Sequence, residues 1–300
     1  MSIRIGIDLG GTKIEIIALD SNGHTLLRER TPTPNDNYRD IIRTTAELVS
    51  NVEERIGKRG TIGVAIPGAV SLVTGKIKNS NTICMIGKDF ENDLVSALKR
   101  PVRICNDANC FTLSEAVDGA GQGAEVVFGV ILGTGVGGGI TVNGKILTGV
   151  NAIAGEWGHN PLPWPRTDEL PGPACYCGKH GCIETFLSGP GIAMDYKIMT
   201  GSGIDPREIM EQSVNGDTSA ELALDRYFDR CARSLANVIN IIDPDIIVLG
   251  GGLSNITDLY TKVPELWTQY VFSDRVDTLL KPAQHGDSSG VRGAAWLWSS

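Results

Sequence analysis

The chain switches repeatedly between period-2 and helical spacing of its apolar residues. Ile3, Ile5 and Ile7 alternate with polar or small residues and predict a strand over 3–8. Lys13–Leu19 reads as a second strand, closed by the turn Asp20-Ser21-Asn22-Gly23. Tyr38, Ile41, Ile42, Val49, Val52 and Ile56 keep helical spacing, which predicts an amphipathic helix over about 36–57. Strands follow at 61–66, ending on Pro67-Gly68, and at Val102–Asn106, where Asp107 stands at the strand end before a helix over 108–120. The longest predicted helix spans 221–241 and stops at Asp243-Pro244. A buried strand at 246–249 then runs straight into Gly250-Gly251-Gly252. Strands alternating with helices in this way predict an α/β fold.

A weak internal repeat adds to that picture. Gly6-Ile7-Asp8-Leu9-Gly10-Gly11-Thr12 aligns with Gly129-Val130-Ile131-Leu132-Gly133-Thr134-Gly135, and both continue to turns at Ser21-Asn22-Gly23 and Asn143-Gly144. Two such halves imply a duplicated domain with a cleft between. Asp8 faces Ile131 in the alignment, so one half alone carries the carboxylate, as a single metal-phosphate site would require.

Gly133-Thr134-Gly135-Val136-Gly137-Gly138 fits the G-x-G-x-x-G dinucleotide pattern, but it opens an alternating segment with an Asn-Gly hairpin turn rather than a helix. Gly139 to Lys145 nearly spells a P-loop, yet Ile146 stands where the Ser or Thr should be. Both readings are rejected. Five glycines within 133–139 exceed what a tight turn needs, so their backbone N–H groups are expected to cradle phosphate. Gly250-Gly251-Gly252 is a third such place.

Chemistry concentrates between His159 and Glu184. Cys175, Cys177 and Cys182 lie in a Gly-rich loop, with Glu156 three residues before His159. An odd local count of cysteines argues against disulfides. One His and three thiolates make a filled tetrahedral Zn²⁺ set, which is structural rather than catalytic. His180 competes with His159 for the fourth position. His159 is preferred, because His180 sits inside the short Cys177–Cys182 turn and is expected to face solvent. Carboxylates flank the loop at Glu156 and Glu184.

Composition narrows the choices. Three hundred residues with 41% hydrophobic content can hold two domains. A net charge of −8 counts against nucleic-acid binding. No apolar run reaches the ~18 residues of a membrane span. Seven cysteines with thiolate-type clustering, and a start without a leader pattern, fit a cytoplasmic protein. Cys84, Cys105, Cys110 and Cys231 read as small core residues.

These motifs in this order resemble the ROK family of sugar kinases and repressors, within the actin-like ATPase (ribonuclease H-like) superfamily. The carrying residues are Asp8-Leu9-Gly10-Gly11-Thr12-Lys13, Asn106-Asp107, Leu132-Gly133-Thr134-Gly135, Glu156-Trp157-Gly158-His159, the C-x-C-G-x-x-G-C run to Glu184, and Gly250-Gly251-Gly252. Residues 154–164 and 285–296 are similar to bacterial ROK fructokinases of the manno(fructo)kinase type. With the first strand beginning at Ile3, no helix-turn-helix is expected, which points to the kinase branch.

The resemblance implies a duplicated α/β fold with two domains flanking a cleft: 1–118, with a C-terminal helix at about 288–300 packing back on it, and 119–287, with the zinc loop 159–184. It implies transfer of the ATP γ-phosphoryl group to the 6-hydroxyl of fructose, with mannose secondary, and alternatives in glucose, N-acetylmannosamine or a non-catalytic sugar sensor. Asp107 is then the general base. Asp8 orients Mg²⁺, Gly10, Gly11, Thr12 and Lys13 form the first phosphate turn, Gly133, Thr134 and Gly135 the second, and Gly251 and Gly252 lie against the adenosine. Asn81, Asn106, Asp107, Glu156, His159 and Glu184 hold the sugar. His159, Cys175, Cys177 and Cys182 hold Zn²⁺, with the other His159 ring nitrogen facing the sugar. Family members are often homodimers.

Overall fold

The computed structural model describes residues 2–34, 37–80 and 82–298. In chain order its elements are β1 (Ile3–Leu9), β2 (Lys13–Leu19), β3 (Thr25–Pro32), α1 (Tyr38–Ile56), β4 (Gly60–Ile66), the short pair β5 (Ala69–Val70) and β6 (Ile77–Lys78), α2 (Phe90–Leu98), β7 (Val102–Asn106) and α3 (Asp107–Asp118). They continue with β8 (Val126–Leu132), β9 (Val136–Val142), β10 (Lys145–Ile146), α4 (Glu184–Leu187), α5 (Gly189–Thr200), α6 (Pro206–Val214), α7 (Thr218–Ile242), β11 (Ile246–Gly250), α8 (Leu259–Trp267), β12 (Leu279–Pro282) and α9 (Ser289–Trp296). Two compact units result: Met1–Gly123 with Gly144–Ala154 and Asp287–Ser300, and Ala124–Asn143 with Gly155–Gly286. Residues 144–154, grouped with the second half on sequence, fall in the first unit, where Ile146 packs on Ile17, Leu19 and Leu113.

In the first unit the sheet order is β3-β2-β1-β4-β7, antiparallel across β3, β2 and β1 and parallel across β1, β4 and β7. Period-2 alternation divides its side chains between two faces. Ile5, Ile7, Ile14, Ile16, Ile62 and Val64 meet Ile41, Val49 and Val52 of α1 on one face. Ile17 and Leu19 meet Leu113 of α3 and Val291, Ala295 and Trp296 of α9 on the other. Strand β3 escaped the sequence reading because its edge position leaves Thr25-Leu26-Leu27-Arg28-Glu29-Arg30 largely solvated, so no apolar alternation marks it.

Helix α9 approaches this sheet closely because glycines leave room for its backbone. A Cβ on Gly6 would lie 2.0 Å from the Val291 carbonyl oxygen, and one on Gly63 would lie 1.9 Å from that of Ala294. A Cβ on Gly293 would lie 1.6 Å from the Cys110 carbonyl oxygen of α3. Gly293→Ala must therefore push two helices apart, and we expect it to cost about 1–3 kcal/mol, the range of overpacked cores. Thermal melts read this directly; an unchanged Tm would show that the α3–α9 contact yields freely.

The second unit repeats the plan. Its strands run β9-β8-β11-β12, antiparallel at β9–β8 and parallel beyond, matching β2-β1-β4-β7. The repeat read from the sequence lands on β1 and β8. The hairpin turn at Asn143-Gly144 has φ of 51° and 69°, as an Asn-Gly turn of primed type requires, and the Gly-rich run opens strand β9 rather than a helix. Helix α7 is capped by Asp217, whose carboxylate accepts from Ala220 N at 2.8 Å, which starts it three residues before the predicted 221. Both units thus carry the mixed α/β sheet of the actin-like ATPase fold.

Candidate active site and metal centre

In the first unit the parallel strands deliver their carboxyl ends to one edge. Asp8 pairs in register with Ala65, Ala65 with Cys105, and Asn106-Asp107 follow at the end of β7. Such edges are where α/β sheets bind ligands. Asn106, rather than Asp107, caps α3: its side-chain oxygen accepts from Ala108 N at 2.9 Å and Asn109 N at 3.3 Å, while its amide nitrogen donates to the Gly68 carbonyl at 2.9 Å. Capping therefore falls to the neighbour, and Asp107 occupies the first turn of the helix. One amide N–H of Asn106 remains beyond these bonds. Asn81 lies outside the described residues.

The turn between β1 and β2 is tightly set. Gly10 N donates to Lys13 O at 2.9 Å, and Thr33 clamps both sides, donating from its hydroxyl to Gly10 O at 2.7 Å and from its N–H to Thr12 O at 3.0 Å. Gly11, Thr12 and Lys13 are exposed. Glu15, which the sequence reading passed over, is buried one turn of pleat away, held by Arg28 at 2.5 Å and Arg30 at 2.6 Å.

Asp8 is the perturbed group here. Burial, followed by the carboxylates of Asp107 and Glu15, pushes its pKa up to about 7 despite Lys13 and Arg30. The first turn of α9 lies against it, since a Cβ on Gly290 would sit 3.1 Å from Asp8 Oδ2. A negative pair that burial disfavours accommodates a divalent cation, and Asp8 and Asp107 fit Mg²⁺ on those terms. An unfolded Asp titrates near 3.9. Between about pH 4 and about pH 7 the native chain thus holds a proton that the unfolded chain has lost. The stability contribution is complete at the acid end and disappears as pH rises through about 7. Melts without divalent cations should show Tm falling across that window, and Asp8→Asn should flatten the fall. Equal slopes in the two proteins would rule out a protonated Asp8.

In the second unit the glycines of β9 have two jobs. A Cβ on Gly138 would meet the Trp157 ring at 2.7 Å, and Trp157 Nε1 donates to Gly137 O at 3.1 Å. A Cβ on Gly155 would meet Gly138 O at 2.6 Å, and one on Gly158 would meet Val136 O at 2.3 Å. The segment Glu156-Trp157-Gly158-His159 therefore lies directly on the strand. Part of the glycine excess between 133 and 139 is explained by this packing, which a sequence cannot display. Gly133 has nothing within 4 Å of its missing Cβ and stays open to a ligand. Gly251, with φ 83°, would clash with Leu132 O at 2.4 Å if substituted, whereas Gly252 faces open space.

Glu184 reaches the same turn: its Oε2 accepts from Val136 N at 2.9 Å, and a Cβ on Gly135 would meet that oxygen at 2.7 Å. Gly189 N donates to Gly133 O at 2.8 Å. The chain leaving the cysteine loop thus braces the second glycine turn.

The donor atoms of His159, Cys175, Cys177 and Cys182 all lie within 4.8 Å of one another, and His180 is outside the group. Cys177 Sγ and Cys182 Sγ are 3.6 Å apart, as are Cys175 Sγ and His159 Nδ1. Tetrahedral Zn²⁺ with bonds of ~2.3 Å sets ligand edges of roughly 3.8 Å, so the set fits that ion with no vertex left for a catalytic water. Burial pushes the Cys182 thiol up to about 12, and a bound cation is what would hold it as thiolate. The other His159 nitrogen, expected to face the sugar, meets the Tyr176 hydroxyl at 2.9 Å.

Buried arginines anchor the approach to this loop. Arg233 donates to the carbonyls of Pro163 and Trp164 at 3.0 and 2.8 Å and to Glu169 Oε1 at 2.7 Å, which Arg230 shares at 2.8 Å. Burial alone would raise the Glu169 pKa; the two guanidiniums outweigh it and hold it at about 2. Among the described residues no helix is long and apolar enough to cross a membrane.

Two mixed sheets, carboxylates and glycine turns at their strand ends, and a His/Cys₃ cluster define an actin-like phosphotransferase. A profile of the ROK family matches residues 4–300. The N-acetyl-D-glucosamine kinase of Shigella flexneri serotype 5b (strain 8401) is 40% identical over 296 residues, 97% of this chain and 98% of that one. Among solved structures, the ROK hexokinase of Thermus thermophilus superposes with a TM-score of 0.87 at 32% identity, covering 98% of this chain and 96% of that one. The ROK glucokinase of Streptomyces griseus, solved with glucose and AMPPNP, gives 0.79 at 27% identity, covering 99% of each chain. The chain belongs to the ROK family and is a sugar kinase of that family.

Proposed function

We propose that the protein transfers the ATP γ-phosphoryl group to the 6-hydroxyl of fructose, with mannose as a secondary acceptor. The observation that carries the phosphotransfer is the pairing of Asp8 and Asp107 at the carboxyl edge of β1, β4 and β7, beside an exposed glycine turn. Phosphoryl transfer needs positioning, charge neutralisation and a base at the attacking oxygen. Asp107 accepts the hydroxyl proton as the new O–P bond forms. Asp8, with Asp107 beside it, would hold Mg²⁺, which would supply neutralisation of the phosphate charge. The exposed turn Gly11-Thr12-Lys13, shaped by the Gly10 N–H bond to Lys13 O, and the turn 133–135, open at Gly133, hold phosphate oxygens; the open face of Gly252 takes the adenosine, with Gly251 shaping its turn against Leu132. ATP as donor is supported by the AMPPNP bound to the Streptomyces griseus relative.

Sugar choice rests on different ground. Fructose is supported by the likeness of residues 154–164 and 285–296 to ROK fructokinases. A second reading, N-acetyl-D-glucosamine, is supported by the kinases of that name at 40% identity. Glu156, the remaining oxygen of Glu184, Asn106 and the His159 side would hold vicinal hydroxyls in either case. ADP release over fructose, mannose, glucose, N-acetylglucosamine and N-acetylmannosamine separates the two. The highest kcat/KM with fructose is expected; an amino sugar in first place would overturn the fructose assignment and leave the kinase intact.

A further inference from the structure

Tyr176 stands between two cysteines of the metal set, yet its side chain is 83% exposed. It has little packing to hold it, and still its ring meets that of His159 edge-on, with centroids 5.1 Å apart and planes at 87°. Its hydroxyl is 2.9 Å from His159 Nε2. His159 Nδ1 lies 3.6 Å from the Cys175 thiol, and with the metal on Nδ1 the ring proton would sit on Nε2 and be donated to the tyrosine oxygen. The tyrosine keeps its own O–H to donate onward. The phenol therefore covers the His159 nitrogen that the sugar-site reading turns toward the acceptor.

We propose that Tyr176 determines sugar specificity: its hydroxyl, backed by His159, donates to a hydroxyl of the acceptor, and its ring occupies volume that an N-acetyl substituent would need. This rests on the sugar-site reading above. An acceptor that approaches His159 meets the phenol first. A hydroxyl there completes a hydrogen bond, whereas the bulkier amide must displace the ring. The metal keeps His159 in place behind the tyrosine and takes no other part.

Two variants test the two halves. Tyr176→Phe keeps the ring and removes the donor. The KM for fructose, and its Kd by calorimetry without nucleotide, should rise about threefold to tenfold, the worth of one hydrogen bond, with kcat little changed. Tyr176→Ala removes the ring, and the ratio of kcat/KM for N-acetylglucosamine to that for fructose should rise at least about tenfold, a pocket-volume effect. Tyr176→Phe should leave that ratio within about a factor of three, so a loop merely loosened by substitution would not reproduce the pattern. An unchanged ratio in Tyr176→Ala overturns the steric half; unchanged fructose Kd in Tyr176→Phe overturns the hydrogen-bonding half. Wild-type protein with no sugar-dependent ADP release would instead overturn the kinase reading, independently of Tyr176.

Discussion

Asp107→Asn is expected to lower kcat at least about 100-fold, the common range for loss of a general base, while the fold and sugar binding persist. The substitution keeps size and hydrogen-bonding shape but removes the proton acceptor. Structural damage is expected to be small, because the helix is capped by Asn106, whose oxygen takes both the Ala108 and Asn109 N–H groups. Asp107 itself accepts from Ala108 N at 2.9 Å through an oxygen that the amide retains. The neighbouring Asp8 should respond as well. Asp107 is the first of the charges that raise its pKa, so neutralising Asp107 lowers the pH at which the metal-free protein loses stability. Turnover, calorimetric sugar binding and pH-dependent melts of the one variant therefore read base, scaffold and electrostatic coupling separately. A variant that keeps more than about a tenth of wild-type kcat would remove Asp107 from the base role.

Much of this site was legible in the sequence because its chemistry is local. Three cysteines and a histidine within one loop define a donor set whatever the rest of the chain does, and the structure gathers those four. A strand ending in Asn-Asp before a helical run places a carboxylate at a sheet edge, although which of the two residues caps the helix needed coordinates. Properties that arise from tertiary neighbours were not legible. The glycines of β9 looked like phosphate ligands alone, and Gly138 proves to be small for Trp157 as well. Glu184 looked like a sugar ligand alone, and one of its oxygens is bonded to Val136 N. Arg230 and Arg233 keep the spacing of a solvated helix face, but Glu169, from the segment beyond Trp164, buries them. Edge strand β3 has no apolar alternation because its side chains stay largely solvated.

Metal removal should impair sugar and nucleotide binding together, although zinc takes no part in phosphoryl transfer. The physical route runs through the backbone. Residues 159 to 182 form a long excursion whose ends are joined at the cluster: Ile183 N donates to Asn160 O at 2.9 Å, and Leu162 N donates to Gly181 O at 2.9 Å. These bonds register the two ends, and the metal would lock them. Closing a loop of this length restrains on the order of 3 kcal/mol of chain entropy by the cross-link estimate. Glu184 follows Cys182 by two residues and starts α4, so its carboxylate stays on Val136 N only while the loop holds its register. Losing the metal would free His159, and Tyr176 bonded to it, at the proposed sugar site and loosen the turn 133–135 proposed to hold phosphate. We expect exhaustive chelation, or Cys182→Ser, to lower activity at least about tenfold, as disrupted metal environments do. The fructose Kd and the KM for ATP should both rise, and readdition of zinc should restore the chelated protein. A rise confined to fructose would exclude the route through Glu184 and Val136. Activity that survives complete removal of the metal would overturn the coupling altogether.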